Sequence, residues 1–152
     1  MGDAIRLDGK VAVVTGGGRG MGRAMALALA EAGARVVAAD LSAENLTRLE
    51  REAATLANGG AVAGIAADIR KAQDCRRAID TACERFGGLD ILVNNAGLLP
   101  SYAYPGRFLD GAPPPKFWTL EDGVVQNVID TNFVAADRMT RYAVPHMIAK
   151  GW

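Results

Sequence analysis

A cluster of glycines at residues 15–22, TGGGRGMG, is the stretch whose residue types most directly suggest binding chemistry. Its spacing is Gly16-x-x-x-Gly20-x-Gly22, between a short apolar run and an amphipathic one. Glycines let a backbone turn sharply and approach a phosphate closely, and a helix N-terminus beyond them attracts an anion. The spacing fits neither G-x-G-x-x-G nor the P-loop pattern. It predicts a phosphate cradle, with a glycine-rich turn that binds nothing as the alternative.

A carboxylate stands at the end of the next apolar run. Asp40 closes RVVAAD (35–40), 18 positions after Gly22, which is near the spacing of about 20 expected for a carboxylate that holds a dinucleotide's ribose hydroxyls. Because a carboxylate would repel a 2′-phosphate, Asp40 favours NAD over NADP. Arg19 is an opposing signal, since its guanidinium could pair with that phosphate. We give Asp40 the greater weight; a plain strand-end turn residue is the alternative.

The elements that must position these residues alternate regularly. Short β-branched runs are separated by segments with apolar residues at helical spacing, which is typical of βαβ units around a parallel sheet. The sequence predicts strands at 10–15, 35–40, 61–68 and 89–95, and helices at 19–33, 42–58, 71–87 and 119–150. Ser42 is the predicted N-cap of the second helix. Thr119 is the predicted N-cap of the last helix, which Pro145 is expected to kink.

The segment 98–118 lacks a clear period and contains five of the six prolines. Loops of this length are usually functional or disordered. Its aromatic residues could line a pocket for an apolar substrate. An equal alternative is that the segment is a surface loop or forms a contact between subunits. These residues are Tyr102, Tyr104, Phe108, Phe117 and Trp118.

Composition excludes several function classes. Lys plus Arg and Asp plus Glu balance at 17 each, so no basic face predicts nucleic acid or an anionic membrane. The longest apolar run, MALALA, is far too short to span a bilayer, and the N-terminus lacks a signal-peptide pattern. Cys75 and Cys83 would lie roughly 12 Å apart along one helix. We expect reduced thiols, a cytoplasmic protein and no metal site.

Five motifs together resemble the short-chain dehydrogenase/reductase family: TGGGRGMG (15–22), AAD (38–40), AADI (66–69), NNAG (94–97) and DTN (130–132). They occur in the family's order and cover nearly the whole chain. The resemblance implies an α/β fold, a Rossmann-like three-layer sandwich with a parallel sheet. We expect one NAD(P)-binding domain over 1–152, with four strands present and the C-terminal strands missing.

The resemblance also implies a role for individual residues. The pyrophosphate would lie along the glycine turn, lined by Gly16, Gly18, Arg19, Gly20, Met21 and Gly22. Asp40 and Leu41 would contact the adenosine ribose. Asp68 would accept a hydrogen bond from the adenine amino group, and Ile69 would pack on the adenine ring. The segment Asn95, Ala96 and Gly97 would run beside the adenosine ribose and the fourth strand. Asn132 would support a water in the family's proton relay; an inward polar residue satisfied by backbone is the alternative.

The family's acid/base group has no counterpart among the 152 residues. Its members use a Ser and a Tyr four positions before a Lys, whereas the residues four before Lys71, Lys116 and Lys150 are Ala67, Ala112 and His146. We therefore expect the dinucleotide-binding half of an NAD-dependent alcohol/ketone oxidoreductase, truncated before the catalytic segment and inactive alone. A non-catalytic homologue that binds NAD or a partner subunit is the alternative. For a full-length form, the resemblance implies a homo-oligomer.

Overall fold

The computed structural model describes residues 5–57, 61–99 and 115–151. Four parallel strands form one sheet in the order β3-β2-β1-β4, with β1 spanning Val11–Thr15, β2 Arg35–Asp40, β3 Ala61–Ala66 and β4 Ile91–Val93. Helices connect them: α1 spans Gly20–Glu31, α2 Ala43–Ala53 and α3 Ala72–Phe86. After β4 come α4 (Asp122–Ile129) and α5 (Ala135–Lys150). The predicted parallel α/β architecture is confirmed.

Helices cover both faces of the sheet. Successive strand residues point to opposite faces, so Val11 and Val13 of β1 join one buried cluster, while Ala12 and Val14 join another. The helical residues of the first cluster, from α3 and α5, are Cys75, Ala78, Ile79, Ala82, Ala135, Met139 and Ala143. Those of the second, from α1 and α2, are Ala26, Ala30, Leu46 and Leu49. These two cores make the three-layer sandwich.

Most local signals of the first 90 residues agree with the structure, although α2 ends at Ala53 rather than at residue 58. Ser42 caps α2, because its side chain accepts a hydrogen bond from the backbone N–H of Asn45. The two cysteines are free, with Cys75 buried and Cys83 half-buried, and burial raises the pKa of both thiols. The third and fourth strands end earlier than predicted. The backbone N–H of Asp68, for example, donates to Asp74 at 2.8 Å, outside the sheet.

The predicted helix over 119–150 is confirmed as helical backbone from Asp122 to Lys150, but its predicted start and its Thr119 cap are wrong. Thr119 ends a 3₁₀ turn, Phe117–Thr119, and its hydroxyl donates to the carbonyl of Lys116 instead of capping a helix. Helix α4 starts three residues later, and a π-helical stretch, Asp130–Val134, joins it to α5. Pro145 lies within α5. The expectations for Tyr102, Tyr104 and Phe108 lie outside the described residues.

Two further findings concern the part of the chain that the structure describes. None of its helices combines the length and the apolar character needed to cross a membrane. Phe117 and Trp118, proposed from sequence as part of an apolar wall, are 79% and 69% exposed and pack edge to face on each other. In the described structure these two aromatic rings therefore face outward.

Candidate dinucleotide-binding site

A cleft of about 510 Å³ lies at the carboxyl ends of the strands, where open α/β sheets bind their ligands. Four segments contribute to it: the β1–α1 turn, the end of β2, the segment after β3 and the segment after β4. Its lining residues are Gly16, Arg19, Gly20, Met21, Gly22, Ala39, Asp40, Leu41, Ala67, Asp68, Ile69, Arg70, Asn95, Ala96, Gly97, Leu98 and Thr131. Of the sequence-predicted site residues, only Gly18 and Asn132 are not in the lining.

The glycine turn leaves the start of α1 open. Gly16 has a φ of +65°, a conformation that favours glycine. A Cβ atom on Gly22 would lie 2.1 Å from the carbonyl oxygen of Gly16, so no side chain fits there without a shift. Helix α1 has no side-chain cap and no acidic residue in its first turn. Its N-terminal N–H groups and dipole therefore suit an anionic ligand.

Asp40 is held at the cleft by two backbone donors. Oδ2 accepts from the N–H of Gly18 at 2.9 Å, and Oδ1 accepts from the N–H of Ser42 at 3.0 Å. A carboxylate accepts about four hydrogen bonds, so both oxygens keep capacity for a ligand's hydroxyls. Gly18 thus contacts Asp40 rather than the cleft. Arg19 lines the same cleft and is exposed.

The segment after β3 brings a second carboxylate to the cleft, paired with an arginine. Arg70 donates to Asp68 through Nε at 2.9 Å and through Nη2 at 2.8 Å. The Arg70 guanidinium holds the pKa of Asp68 below its ordinary value, chiefly through these hydrogen bonds and against the opposing effect of burial. Ile69 between them is buried. The sequence did not single out Arg70, whose only signal was its place two positions after Asp68.

Asn95 links the segment after β4 to the glycine turn by hydrogen bonds. Its side-chain amide donates to the carbonyl oxygens of Thr15 at 2.9 Å and Gly16 at 3.3 Å. The buried hydroxyl of Thr15 accepts from the backbone N–H groups of Asn95 and Ala96, both at 3.1 Å. Asn95 therefore shapes the cleft through the backbone, while Ala96 and Gly97 follow it along the cleft wall.

Asn132 lies in the π-helical stretch, and both polar atoms of its side chain bond the backbone of Leu98. Its Oδ1 accepts from the N–H of Leu98 at 2.7 Å, and its Nδ2 donates to the carbonyl of Leu98 at 2.9 Å. The side chain thus matches the alternative of an amide satisfied by backbone, and a role in a proton relay stays a prediction. The neighbouring Thr131 lines the cleft instead.

Within the described ranges 5–57, 61–99 and 115–151, no group of three or more His, Cys, Asp or Glu side chains could hold a metal ion. The charged groups of the cleft are instead the carboxylates of Asp40 and Asp68 and the guanidinium groups of Arg19 and Arg70.

Fold and cleft together define a Rossmann-like α/β protein with its ligand site at the strand ends. The sequence profile of the short chain dehydrogenase family matches residues 10–152, so the chain belongs to this family.

Known relatives agree with this assignment. The bovine (Bos taurus) dehydrogenase/reductase SDR family member 4 is 35% identical over 146 residues, which are 95% of this chain and 47% of that protein. Carveol dehydrogenase from Mycobacterium avium, solved in complex with NAD, superposes with a TM-score of 0.79 at 28% identity, covering 97% of this chain and 53% of that one.

A second similar structure also contains a nicotinamide cofactor. It is a 7α-hydroxysteroid dehydrogenase complexed with NADH and 7-oxo glycochenodeoxycholic acid, with a TM-score of 0.82 at 30% identity, covering 97% of this chain and 51% of that chain. The chain spans about half the length of each of these three proteins.

Proposed function

We propose that this chain binds NAD in the cleft and supplies the dinucleotide-binding half of an NAD-dependent oxidoreductase. The observation that carries the proposal is the convergence of the uncapped start of α1 with Asp40 and Asp68 in one cleft. An anion-binding helix end and two carboxylates match the three parts of an adenine dinucleotide that need recognition: pyrophosphate, ribose hydroxyls and adenine amino group.

The residues fit such a ligand part by part. Gly16, Gly20 and Gly22 leave space for a pyrophosphate at the α1 N-terminus, because side chains there would fill the turn or strain it. Asp40 would accept from the adenosine ribose hydroxyls and Asp68 from the adenine amino group. Ile69 would pack on the adenine, and Ala96 and Gly97 would run beside the ribose.

We propose NAD rather than NADP as the preferred cofactor. Asp40 is fixed by Gly18 and Ser42, so its negative charge cannot move away easily from a 2′-phosphate. At a partly buried site such like-charge opposition disfavours the phosphate. Arg19 would counteract this only if its guanidinium left solvent to reach the phosphate. The NAD and NADH complexes of two similar structures support a nicotinamide cofactor without separating NAD from NADP.

The bound cofactor would supply hydride transfer between nicotinamide C4 and a secondary alcohol or ketone. The residues of this chain would bind and orient it at the carboxyl end of the sheet. They contain no Tyr-x-x-x-Lys, so we propose that the acid/base group comes from other residues and that these 152 residues alone do not turn over. Assaying the chain with NAD and a panel of secondary alcohols checks this; NADH formation would contradict it.

Two further properties are proposed with the function. The free thiols of Cys75 and Cys83 suit a reducing compartment such as the cytoplasm. Apolar side chains exposed on α4, the π-helical stretch and α5 support homo-oligomers of the whole protein; they are Val125, Ile129, Phe133, Val144 and Ile148. Light scattering of the whole protein tests the oligomer, and a monomer at micromolar concentration would contradict it.

Calorimetric titration of the chain with NAD and with NADP tests the cofactor proposal. We expect saturable binding of NAD and at least about tenfold weaker binding of NADP, a difference of roughly 1.4 kcal/mol. A folded chain, shown by circular dichroism, that binds neither would contradict dinucleotide binding. Tighter binding of NADP would contradict only the role given to Asp40.

A further inference from the structure

The contact between Arg70 and Asp68 has no place in the functions assigned above. Arg70 approaches Asp68 with a forked guanidinium, and its backbone N–H also donates to Asp68 Oδ1 at 3.1 Å. The Asp68 side chain is 15% exposed, and that of Arg70 is 37% exposed. Both residues line the cleft. An arginine here acts on a ligand either by direct contact or by controlling the carboxylate beside it.

We propose that Arg70 is a positioning residue that directs one acceptor site of Asp68 at the exocyclic amino group of adenine. The inference rests on the proposed function, because it assumes that the adenine end of a dinucleotide lies at Asp68. It adds a specificity determinant: the site would prefer a base that has a 6-amino group, and Arg70 would determine the size of this preference.

The hydrogen bonds on Asp68 lead to this conclusion. Oδ1 of Asp68 accepts from the backbone N–H of Arg70 and from Nε of Arg70. These two bonds use both acceptor positions of Oδ1. Among the residues that the structure describes, Oδ2 accepts from Nη2 of Arg70 and from no other group, which leaves one acceptor position unused. Arg70 thus leaves a single directed acceptor, which suits one N–H of an amino group and opposes a carbonyl oxygen.

Arg70 is itself anchored by α4 and α5. Its Nη1 donates to Oδ1 of Asn127 in α4 at 3.0 Å, and its backbone carbonyl accepts from Nη1 of Arg138 in α5 at 2.8 Å. A planar guanidinium held on both sides loses less freedom on binding than a lysine would. The backbone of Asp68 is fixed as well, by the Asp74 carboxylate. The acceptor on Oδ2 is therefore set before any ligand arrives.

Direct recognition of a phosphate by Arg70 is the weaker interpretation. Nε and Nη2 face Asp68 and Nη1 faces Asn127, so each of the three nitrogens already has an acceptor. The adjacent carboxylate also compensates the positive charge. A phosphate could use only the two N–H groups, one each on Nη1 and Nη2, that these bonds leave over, and it would lie beside the Asp68 carboxylate, whose like charge opposes it.

The test compares NAD with nicotinamide hypoxanthine dinucleotide, which has a carbonyl where adenine has its amino group. Both affinities are measured by calorimetry for the unaltered chain and for Arg70→Ala, Arg70→Lys and Asp68→Asn. Arg51→Ala, which removes an exposed arginine from α2, is the matched control. We expect the unaltered chain and the control to prefer NAD by about tenfold, as for one hydrogen bond to a charged group. Arg70→Ala should reduce the preference to about twofold or less.

Each remaining outcome bears on the inference. Arg70→Lys keeps the charge without the fork, so it should also reduce the preference, and Arg70→Ala should have no further effect in the Asp68→Asn chain. A preference that survives Arg70→Ala, or is absent from the unaltered chain, overturns the role of Arg70 and leaves NAD binding intact. Binding of neither dinucleotide by the unaltered chain contradicts the proposed function itself.

Discussion

The backbone N–H of Gly18 donates a hydrogen bond of 2.9 Å to Oδ2 of Asp40, which joins the glycine turn to the end of β2. A Cβ atom at position 18 would lie 2.8 Å from Cγ of Asp40 and 3.0 Å from Cβ of Asn45. The proximity of Asp40 therefore explains the glycine at this position without any contact to a ligand. The turn and the carboxylate form one unit, and changes in either should affect cofactor choice.

Replacing Gly18 by alanine should displace the Asp40 carboxylate. We expect about tenfold weaker binding of NAD and a smaller difference between NAD and NADP, because the methyl group occupies the space of Asp40. Calorimetric titration with both dinucleotides measures this. Gly123→Ala in α4, where a Cβ meets nothing within 4 Å, is the control and should bind as before. Unchanged selectivity in Gly18→Ala would argue against the unit described above.

Asp40→Ala tests the carboxylate itself. We expect NAD to bind at least about tenfold more weakly, since two hydroxyls lose a charged acceptor, and NADP to bind as tightly as NAD or more so. Competition titrations against NADH fluorescence give both constants. Glu84→Ala, an equal loss of charge at an exposed position of α3, should leave them unchanged. A variant that keeps its preference for NAD would show that other residues discriminate the 2′-phosphate.

Gly22→Ala should affect stability as well as binding. Its Cβ would meet the carbonyl oxygen of Gly16 at 2.1 Å and Nδ2 of Asn95 at 2.5 Å, and the first of these contacts is to backbone. We expect a loss of about 1–3 kcal/mol in the free energy of unfolding, as for overpacked cores, with loss of NAD binding. Urea denaturation measures the first effect. Stability equal to that of the unaltered chain would contradict the close packing of turn and helix.

Asp90 ties the end of α5 to the start of β1, at the amino ends of the strands. It is buried, and its Oδ2 accepts from Lys150 Nζ at 2.6 Å and from the N–H of Val11 at 2.8 Å. Burial opposes ionisation, but Lys150 and the Val11 N–H hold the pKa of Asp90 below its ordinary value. Asp90→Asn should therefore lower the free energy of unfolding by about 2–3 kcal/mol at neutral pH.

The lowered pKa of Asp90 also predicts a dependence on pH. The stabilisation is complete above the unfolded-state pKa of about 3.9 and is lost as pH falls through the lower folded-state value. Urea denaturation at pH 7 and at pH 3 should thus show a smaller difference between the unaltered chain and Asp90→Asn at the lower pH. Asp137→Asn, which breaks an exposed pair with Arg141, should cost under about 1 kcal/mol at either pH. An equal cost at Asp90 and Asp137 would contradict this account.

Most of the fold follows from local patterns in the sequence. Runs such as RVVAAD are apolar over their full length because helices cover both faces of a parallel sheet, so both the strands and their covering could be predicted. Ser42 caps its helix through a bond to a residue three positions away, which sequence spacing shows directly. The carboxyl ends of parallel strands then place Asp40, Asp68 and Asn95 at one cleft.

One local turn and several contacts between distant segments explain what the sequence did not predict. Thr119 fits a capping pattern, yet its hydroxyl bonds Lys116 because the chain enters α4 through a 3₁₀ turn. The π-helical stretch around Asn132 has no local signature, and the partner of Asn132, Leu98, is 34 positions away. Arg70 and Asn127 are 57 positions apart. Periodicity carries no information about such pairs.

A crystal structure of the chain with NAD bound tests the central claim most directly. The account predicts the pyrophosphate at the start of α1, the adenosine ribose hydroxyls within hydrogen-bond distance of Asp40, and the adenine amino group on Oδ2 of Asp68. It would be contradicted by NAD bound outside the cleft, or by an adenosine ribose that makes no contact with Asp40.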